Sequence, residues 1–94
     1  MFDKMKQLQQ MKEQMDAAKE RLNHISVKGE CQGITVVANG TKKILEVTIP
    51  EGMENEEIAE LVVIATNKAI ENAESVFESE MRGMAGGLMG GLGF

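Results

Sequence analysis

The stretch ITVVANGTKKILEVTI, residues 34–49, decides the fold of this chain. Apolar and polar residues alternate along it on both sides of Asn39-Gly40, a dipeptide typical of the turn of a β-hairpin. The alternation predicts one strand over residues 34–39 and another over residues 43–49. We therefore expect the two strands to pair in an antiparallel hairpin around this turn.

The register of the hairpin depends on the length of its loop. A two-residue loop would place Val36 opposite Lys43, whereas a four-residue loop places Val36 opposite Leu45. We expect the longer loop, because apolar pairs across two strands stabilise a sheet. This loop also places Val37 opposite Ile44 on the other face, and we interpret these two residues as a candidate dimer interface.

A third strand precedes the hairpin. Residues 25–31 alternate between apolar and polar side chains, and Gly29 and Gly33 bracket a bend that leads into the next strand. Pro50 ends the last strand, since it has no N–H to donate to a β-ladder. Sequential strands with short connections predict a three-stranded antiparallel meander.

Two long helical patterns flank the meander. Residues 3–24 contain neither Gly nor Pro, and their apolar side chains repeat with the period of about 3.5 that is typical of a coiled coil. Asn55 is a good N-cap for a second helix over residues 55–82. Six of the twelve residues of segment 83–94 are Gly, so we expect a flexible Gly/Met-rich tail there. Residues 1–82 thus form one α+β domain.

The proportions of these elements predict a homodimer. A chain of 94 residues buries only about 60–65% of its unfolded surface, and the predicted hairpin has apolar residues on both faces. One small sheet does not cover two helices of this length. Because the first helix runs toward the sheet and the second away from it, we expect Met1 and Gly83 to lie together at the end of a projecting arm.

The net charge of −5 is unevenly distributed. Residues 1–43 contain eight Lys/Arg and five Asp/Glu, whereas residues 44–94 contain two and ten. The overall charge argues against strong duplex binding, which depends on Lys and Arg that displace counterions from phosphate. Only a local basic cluster could bind a duplex. The expected arm tips collect four basic residues: Lys4, Lys6, Lys12 and Arg82.

Catalytic chemistry has no candidate group in this sequence. His24 is the only histidine and Cys31 the only cysteine, and neither has a partner close in sequence for metal binding or nucleophilic attack. Phosphate-loop, zinc and dinucleotide motifs are absent, as are a secretory signal and an apolar run of the ~20 residues that span a membrane. We therefore expect a cytoplasmic protein that is not an enzyme, does not bind membranes, and uses no metal, cofactor or small-molecule substrate.

The chain resembles the YbaB/EbfC family of bacterial nucleoid-associated proteins over essentially its whole length. The most specific part of the likeness is the middle segment, VKGECQGITVVANGTKKILEVTIPEGM at residues 27–53. The remainder lies in the opening MFDKMKQLQQMKEQMDAAKERL, in the helix EEIAELVVIATNKAIENAES, and in the final GGLGF.

The resemblance implies an α-β-β-β-α protomer that forms a tweezer-like homodimer in the cytoplasm, associated with the nucleoid. Family members bind duplex DNA with little sequence preference, and are proposed to alter its conformation and influence gene expression. The resemblance also implies that the basic arm residues contact DNA phosphates. Four carboxylates of the second helix depart from this picture, and they predict weak, salt-sensitive binding: Glu71, Glu74, Glu78 and Glu80.

A second hypothesis remains open beside DNA binding. The chain would then be a dimeric scaffold, without enzymatic activity, that binds a protein partner. The partner would dock on the Gly/Met-rich tail or on the apolar seam of the first helix near Met5 and Leu8.

Overall fold

The computed structural model of the chain describes the backbone of residues 2–91 and the side chains of residues 4–84. Its element order confirms the predicted α-β-β-β-α fold. The predicted bounds of the first helix and of the three strands differ from the observed ones by one residue at most. The elements are α1 (Phe2–Asn23), β1 (Ser26–Cys31), β2 (Ile34–Asn39), β3 (Ile44–Thr48) and α2 (Asn55–Gly91).

The second helix is longer than expected. It continues through Gly83, where we expected a flexible tail to begin, and ends at Gly91. A glycine inside a helix costs only about 1 kcal/mol relative to alanine, so it weakens the helix without terminating it. The predicted tail is therefore helical over residues 83–91, while residues 92–94 lie outside the described part of the chain.

The three strands form one antiparallel sheet in the order β1-β2-β3. The predicted register of the hairpin is wrong, because Val36 pairs with Val47 and not with Leu45. An irregularity between Val37 and Ala38 leaves Leu45 as an extra residue on β3, as in a β-bulge. Apolar residues still face each other across the strands, but the bulge sets their alignment.

The bulge separates the two residues that we predicted as a dimer interface. Val37 pairs with Glu46 and Lys28, whereas Ile44 pairs with Ala38. Because neighbouring residues of a strand point to opposite faces, Val37 and Ile44 lie on opposite faces of the sheet. The predicted pairing of Val37 with Ile44 is therefore wrong, and the two residues do not share an apolar patch.

The core lies between α2 and one face of the sheet. Alanines at a spacing of four residues bring the helix close to β1 and β2, and Gly29 of β1 is buried beneath it. The buried core residues are Ile34, Val36, Ala38, Leu61, Ala65, Ala69 and Ala73. This packing uses the first half of α2, so the second half extends past the sheet.

The two edges of the sheet differ in their cover. Lys68 Nζ of α2 donates a hydrogen bond to the carbonyl oxygen of Glu30 (3.2 Å), and Asn72 Nδ2 donates to that of Lys28 (2.6 Å). These side chains cover β1, whose backbone groups would otherwise offer an edge for strand pairing. On the opposite edge, all five residues of β3 are exposed.

The chain is elongated, with extents of 64 × 21 × 16 Å. We call the part beyond the sheet the arm, which consists of α1 and residues 77–91 of α2. Ala18 and Leu22 are the buried residues at its base. Gly83 lines a cavity with Gln14 and Ala17, in the second half of α1. Gly83 therefore lies partway along the arm, and not at the tip where we expected it, because α2 first crosses the sheet.

Candidate nucleic-acid interface

Three of the four basic residues predicted to contact DNA lie along α1. Lys4, Lys6 and Lys12 are all exposed, on the part of the arm farthest from the sheet. The rise of 1.5 Å per helical residue places Lys4 and Lys12 about 12 Å apart along the arm. The structure therefore presents these lysines to solvent at intervals along α1 rather than in a compact pocket, with Lys4 and Lys6 about 200° apart around the helix.

Arg82 lies level with the inner end of this series, near Lys12, and far from Lys4. It is exposed and adjoins Gly83, which lies beside Gln14 of α1. Lys4 is ten residues before Gln14, or about 15 Å farther along the helix. The structure does not bring the four predicted residues together at one tip, since the crossing of the sheet displaces α2 relative to α1.

An ion pair joins the two helices near the base of the arm. Arg21 Nε donates a hydrogen bond to Glu80 Oε1 at 2.7 Å. Arg21 Nη2 donates to the same oxygen. The ion pair offsets the negative charge of one of the four carboxylates of α2 that we expected to oppose DNA binding. It joins residues 59 positions apart, so no local pattern in the sequence indicated it.

The hairpin turn places two further lysines at the base of the arm. Lys42 and Lys43 are exposed, and Lys42 Nζ lies 5.0 Å from the centroid of the Phe77 ring in α2. Lys42 has φ of 68°, in the left-handed region that L-residues seldom adopt. The asparagine and glycine of the turn predicted a bend here, but only the packing of α2 brings Phe77 to it.

Among the described residues, large apolar side chains are exposed on α1, on and beside β3, and on α2 at Val63 and Ile64. On α1, Met5 is 68% exposed and Leu8 65% exposed. On and beside β3, four residues are exposed: Ile44, Leu45, Val47 and Ile49. A contiguous apolar surface on a small protein commonly marks a contact with another molecule.

Metal-ligating side chains are not clustered within the described part of the chain. No group of three His, Cys, Asp or Glu suited to a metal ion occurs within residues 4–84. His24 lies 3.0 Å from Glu20 Oε1 on the exposed side of α1, and the free Cys31 is half-buried.

Neither α1 nor the described part of α2 has the length and apolar character needed to cross a lipid bilayer.

Comparison with known proteins gives a consistent result. The model of the YbaB/EbfC DNA-binding family matches residues 1–88. A nucleoid-associated protein of Chlorobaculum tepidum is 40% identical over 91 residues, which cover 93% of this chain and 82% of that protein. A nucleoid-associated protein of Caldanaerobacter subterraneus is 36% identical, covering 87% and 79%. One of Ruminiclostridium cellulolyticum is 36% identical, covering 94% and 81%.

Proposed function

The chain belongs to the YbaB/EbfC DNA-binding family, whose members are DNA-binding proteins rather than enzymes, and from that premise we propose that it binds duplex DNA as a homodimer through its arms. Its relatives are named nucleoid-associated proteins, so the proposed location is the nucleoid, in the cytoplasm. The observation that carries the proposal is the series of exposed lysines along α1 in a chain of this family.

The proposed dimer joins two copies through β3. The edge of β1 is already covered by Lys68 and Asn72, whereas β3 leaves its apolar side chains in water. A second copy that covers this surface would remove its apolar area from water. Each Å² of apolar surface buried in this way contributes about 25 cal/mol of favourable free energy. Two arms would then project from one dimer, which supports a tweezer-like shape around a duplex.

The proposed contacts with DNA are made to its phosphates. Lys4, Lys6 and Lys12 are flexible point charges, well suited to phosphate and without the geometry that reads base edges. Such contacts bind duplexes with little sequence preference, and a protein that bridges phosphates with two arms would alter DNA conformation and thereby gene expression. With a net charge of −5 per chain, the binding is expected to be weak and strongly dependent on salt.

A titration of fluorescent duplex DNA at low and physiological salt, followed by anisotropy, tests this function. The variant Lys4→Gln/Lys6→Gln should bind several-fold more weakly, with the slope of log K against log salt reduced by up to about 0.9 for each phosphate that the variant no longer binds. The variant Lys28→Gln/Lys43→Gln makes the same change in charge on the sheet and its turn, and should bind like the wild type. The DNA proposal fails if the wild type does not bind even at low salt.

The exposed Met5 and Leu8 favour protein recognition as a second candidate function. A dimeric scaffold would use this apolar seam to dock a helix of a partner, and the lysines beside it would be ordinary solvated residues. The double variant Met5→Gln/Leu8→Gln distinguishes the two functions. It should leave DNA affinity unchanged under the DNA proposal, and should abolish capture of a protein partner under the scaffold proposal.

A further inference from the structure

The turn between β2 and β3 is held together by hydrogen bonds to one side chain, that of Asn39. Asn39 is 5% exposed, and its side-chain oxygen accepts hydrogen bonds from the backbone N–H of Thr41 (3.1 Å) and of Lys43 (3.0 Å). The Thr41 hydroxyl lies 2.8 Å from the same oxygen. One buried acceptor therefore organises the whole turn, including the left-handed residue Lys42.

This turn is attached to the end of α1. The N–H of Gly40 donates to the carbonyl oxygen of Leu22 (2.9 Å), and a Cβ at Gly40 would lie only 2.8 Å from that oxygen. The Thr41 hydroxyl also lies 3.0 Å from Asn23 Oδ1. The turn thus lies in direct backbone contact with the point at which α1 leaves the sheet.

The same turn contacts α2 through the side chain of Lys42. Lys42 Nζ lies 5.0 Å from the centroid of Phe77, within the distance at which a cation is attracted to an aromatic face. Phe77 is half-buried and begins the part of α2 that extends into the arm. The turn therefore touches both helices at the base of the arm, and Lys42 provides its contact with α2.

We propose that Lys42 is a positioning residue, whose contact with Phe77 acts with the Arg21–Glu80 ion pair to set the direction in which the arm leaves the sheet. Beyond Ala18, every described residue of α1 toward its N-terminus is exposed, so the buried contacts of α1 are all at the base, and a change there is carried along the helix to the tip. A rotation of about 10° at the base moves the tip of a ~33 Å helix by about 6 Å. This is half the width of the DNA major groove, which is about 12 Å.

The functional consequence rests on the proposed DNA binding, whereas the geometry does not. Lys42 would contribute to DNA affinity without contacting a phosphate, because it holds Lys4, Lys6 and Lys12 in position. Removal of the Lys42–Phe77 interaction should then weaken binding about threefold while the salt slope stays the same, since the number of phosphates bound is unchanged.

The geometric test measures, without DNA, the distance between two spin labels attached to cysteines introduced by Gln9→Cys in α1 and Glu30→Cys in β1. Cys31→Ser removes the natural cysteine, so that only these two positions are labelled. Labelled chains are mixed with excess unlabelled chains, so that distances within one protomer are measured. Lys42→Met should shift or broaden the distance distribution by several ångströms. Lys42→Arg preserves a cation over the ring and should match the wild type, as should Lys43→Met, which removes the neighbouring charge. Phe77→Leu removes the aromatic partner of the pair and should reproduce the effect of Lys42→Met.

The outcomes separate this proposal from the proposed function. An unchanged distribution in both Lys42→Met and Phe77→Leu overturns the positioning role, whatever DNA does. A shifted distribution in a protein that binds no DNA supports the role and overturns only the DNA function. A reduced salt slope for Lys42→Met, with unchanged distances, identifies Lys42 as a direct phosphate contact and overturns positioning.

Discussion

The backbone of Gly29 in β1 lies so close to that of Ala65 in α2 that a Cβ at Gly29 would overlap the Ala65 carbonyl oxygen. The same Cβ would also meet the amide nitrogen of Ala69, one turn later. Both neighbours are backbone atoms of a helix, which cannot rotate away as a side chain can. The close approach of α2 to the sheet therefore depends on the absence of a side chain at this position.

Gly29→Ala should lower the free energy of unfolding by about 2–3 kcal/mol, the upper part of the range of about 1–3 kcal/mol that is typical of overpacking a tight core. Urea unfolding followed by circular dichroism measures the change. Gly83→Ala is the matched control, because a Cβ there meets nothing within 4 Å. That substitution should stabilise the protein by about 1 kcal/mol through helix propensity. Equal effects of the two substitutions would show that α2 does not lie this close to β1.

Ile44→Lys should raise the dissociation constant of the proposed dimer at least tenfold, because it places a charge within the exposed apolar surface of β3. Sedimentation at micromolar concentration measures the change. Val37→Lys is the comparison on the opposite face, where Lys28 and Glu46 already flank the position. We expect this variant to remain a dimer. If Val37→Lys alone dissociated the dimer, the interface would lie on the face of the sheet opposite to α2. A monomeric wild type would refute the dimer.

Asn72→Ala should destabilise the protein relative to Asn67→Ala by about 1 kcal/mol. Both substitutions replace an exposed asparagine of α2 with the better helix former, so the gain in helix propensity is shared. Only Asn72 donates to the carbonyl of Lys28, and its loss leaves that edge group to water. Thermal unfolding of the two variants gives the difference. No difference would mean that solvent replaces this hydrogen bond without loss.

Asn39→Ala should destabilise the fold by about 2–3 kcal/mol, because the buried oxygen accepts from two backbone N–H groups that would be left without it. Asn39→Asp retains an accepting oxygen and should recover a large part of the stability. Chemical unfolding measures both variants. If the two are equally destabilised, the turn is held by its contacts with α1 and not by the asparagine.

Local sequence patterns predicted the elements of this fold well. Alternation located β2, and Asn55 located the start of α2 to within one residue, since the N–H of Ile58 donates to the carbonyl oxygen of Glu54 and makes Glu54 the capping position. The predicted register was wrong at Leu45. A bulge depends on how the whole strand aligns with its neighbour, and the residue types around it do not indicate its position. The predicted end of α2, just before Gly83, was also wrong, because a glycine weakens a helix without ending it.

The candidate site was less predictable than the fold. The exposure of Lys4, Lys6 and Lys12 followed from their position on an outlying helix. The position of Arg82 did not, because it depends on how far α2 travels across the sheet before it enters the arm. The contact between Lys42 and Phe77 joins residues 35 positions apart and requires the packed structure.

The hydrogen bonds from Lys68 and Asn72 to β1 also limit how large an assembly can grow. A sheet with two free edges can add copies indefinitely, in the manner of a fibre. Here one edge is occupied by the protein's own helix, so a contact through β3 uses the same surface on both copies and leaves no second edge to extend. The proposed association through β3 would therefore close at two chains, so that a higher protein concentration would yield more dimers and no polymer.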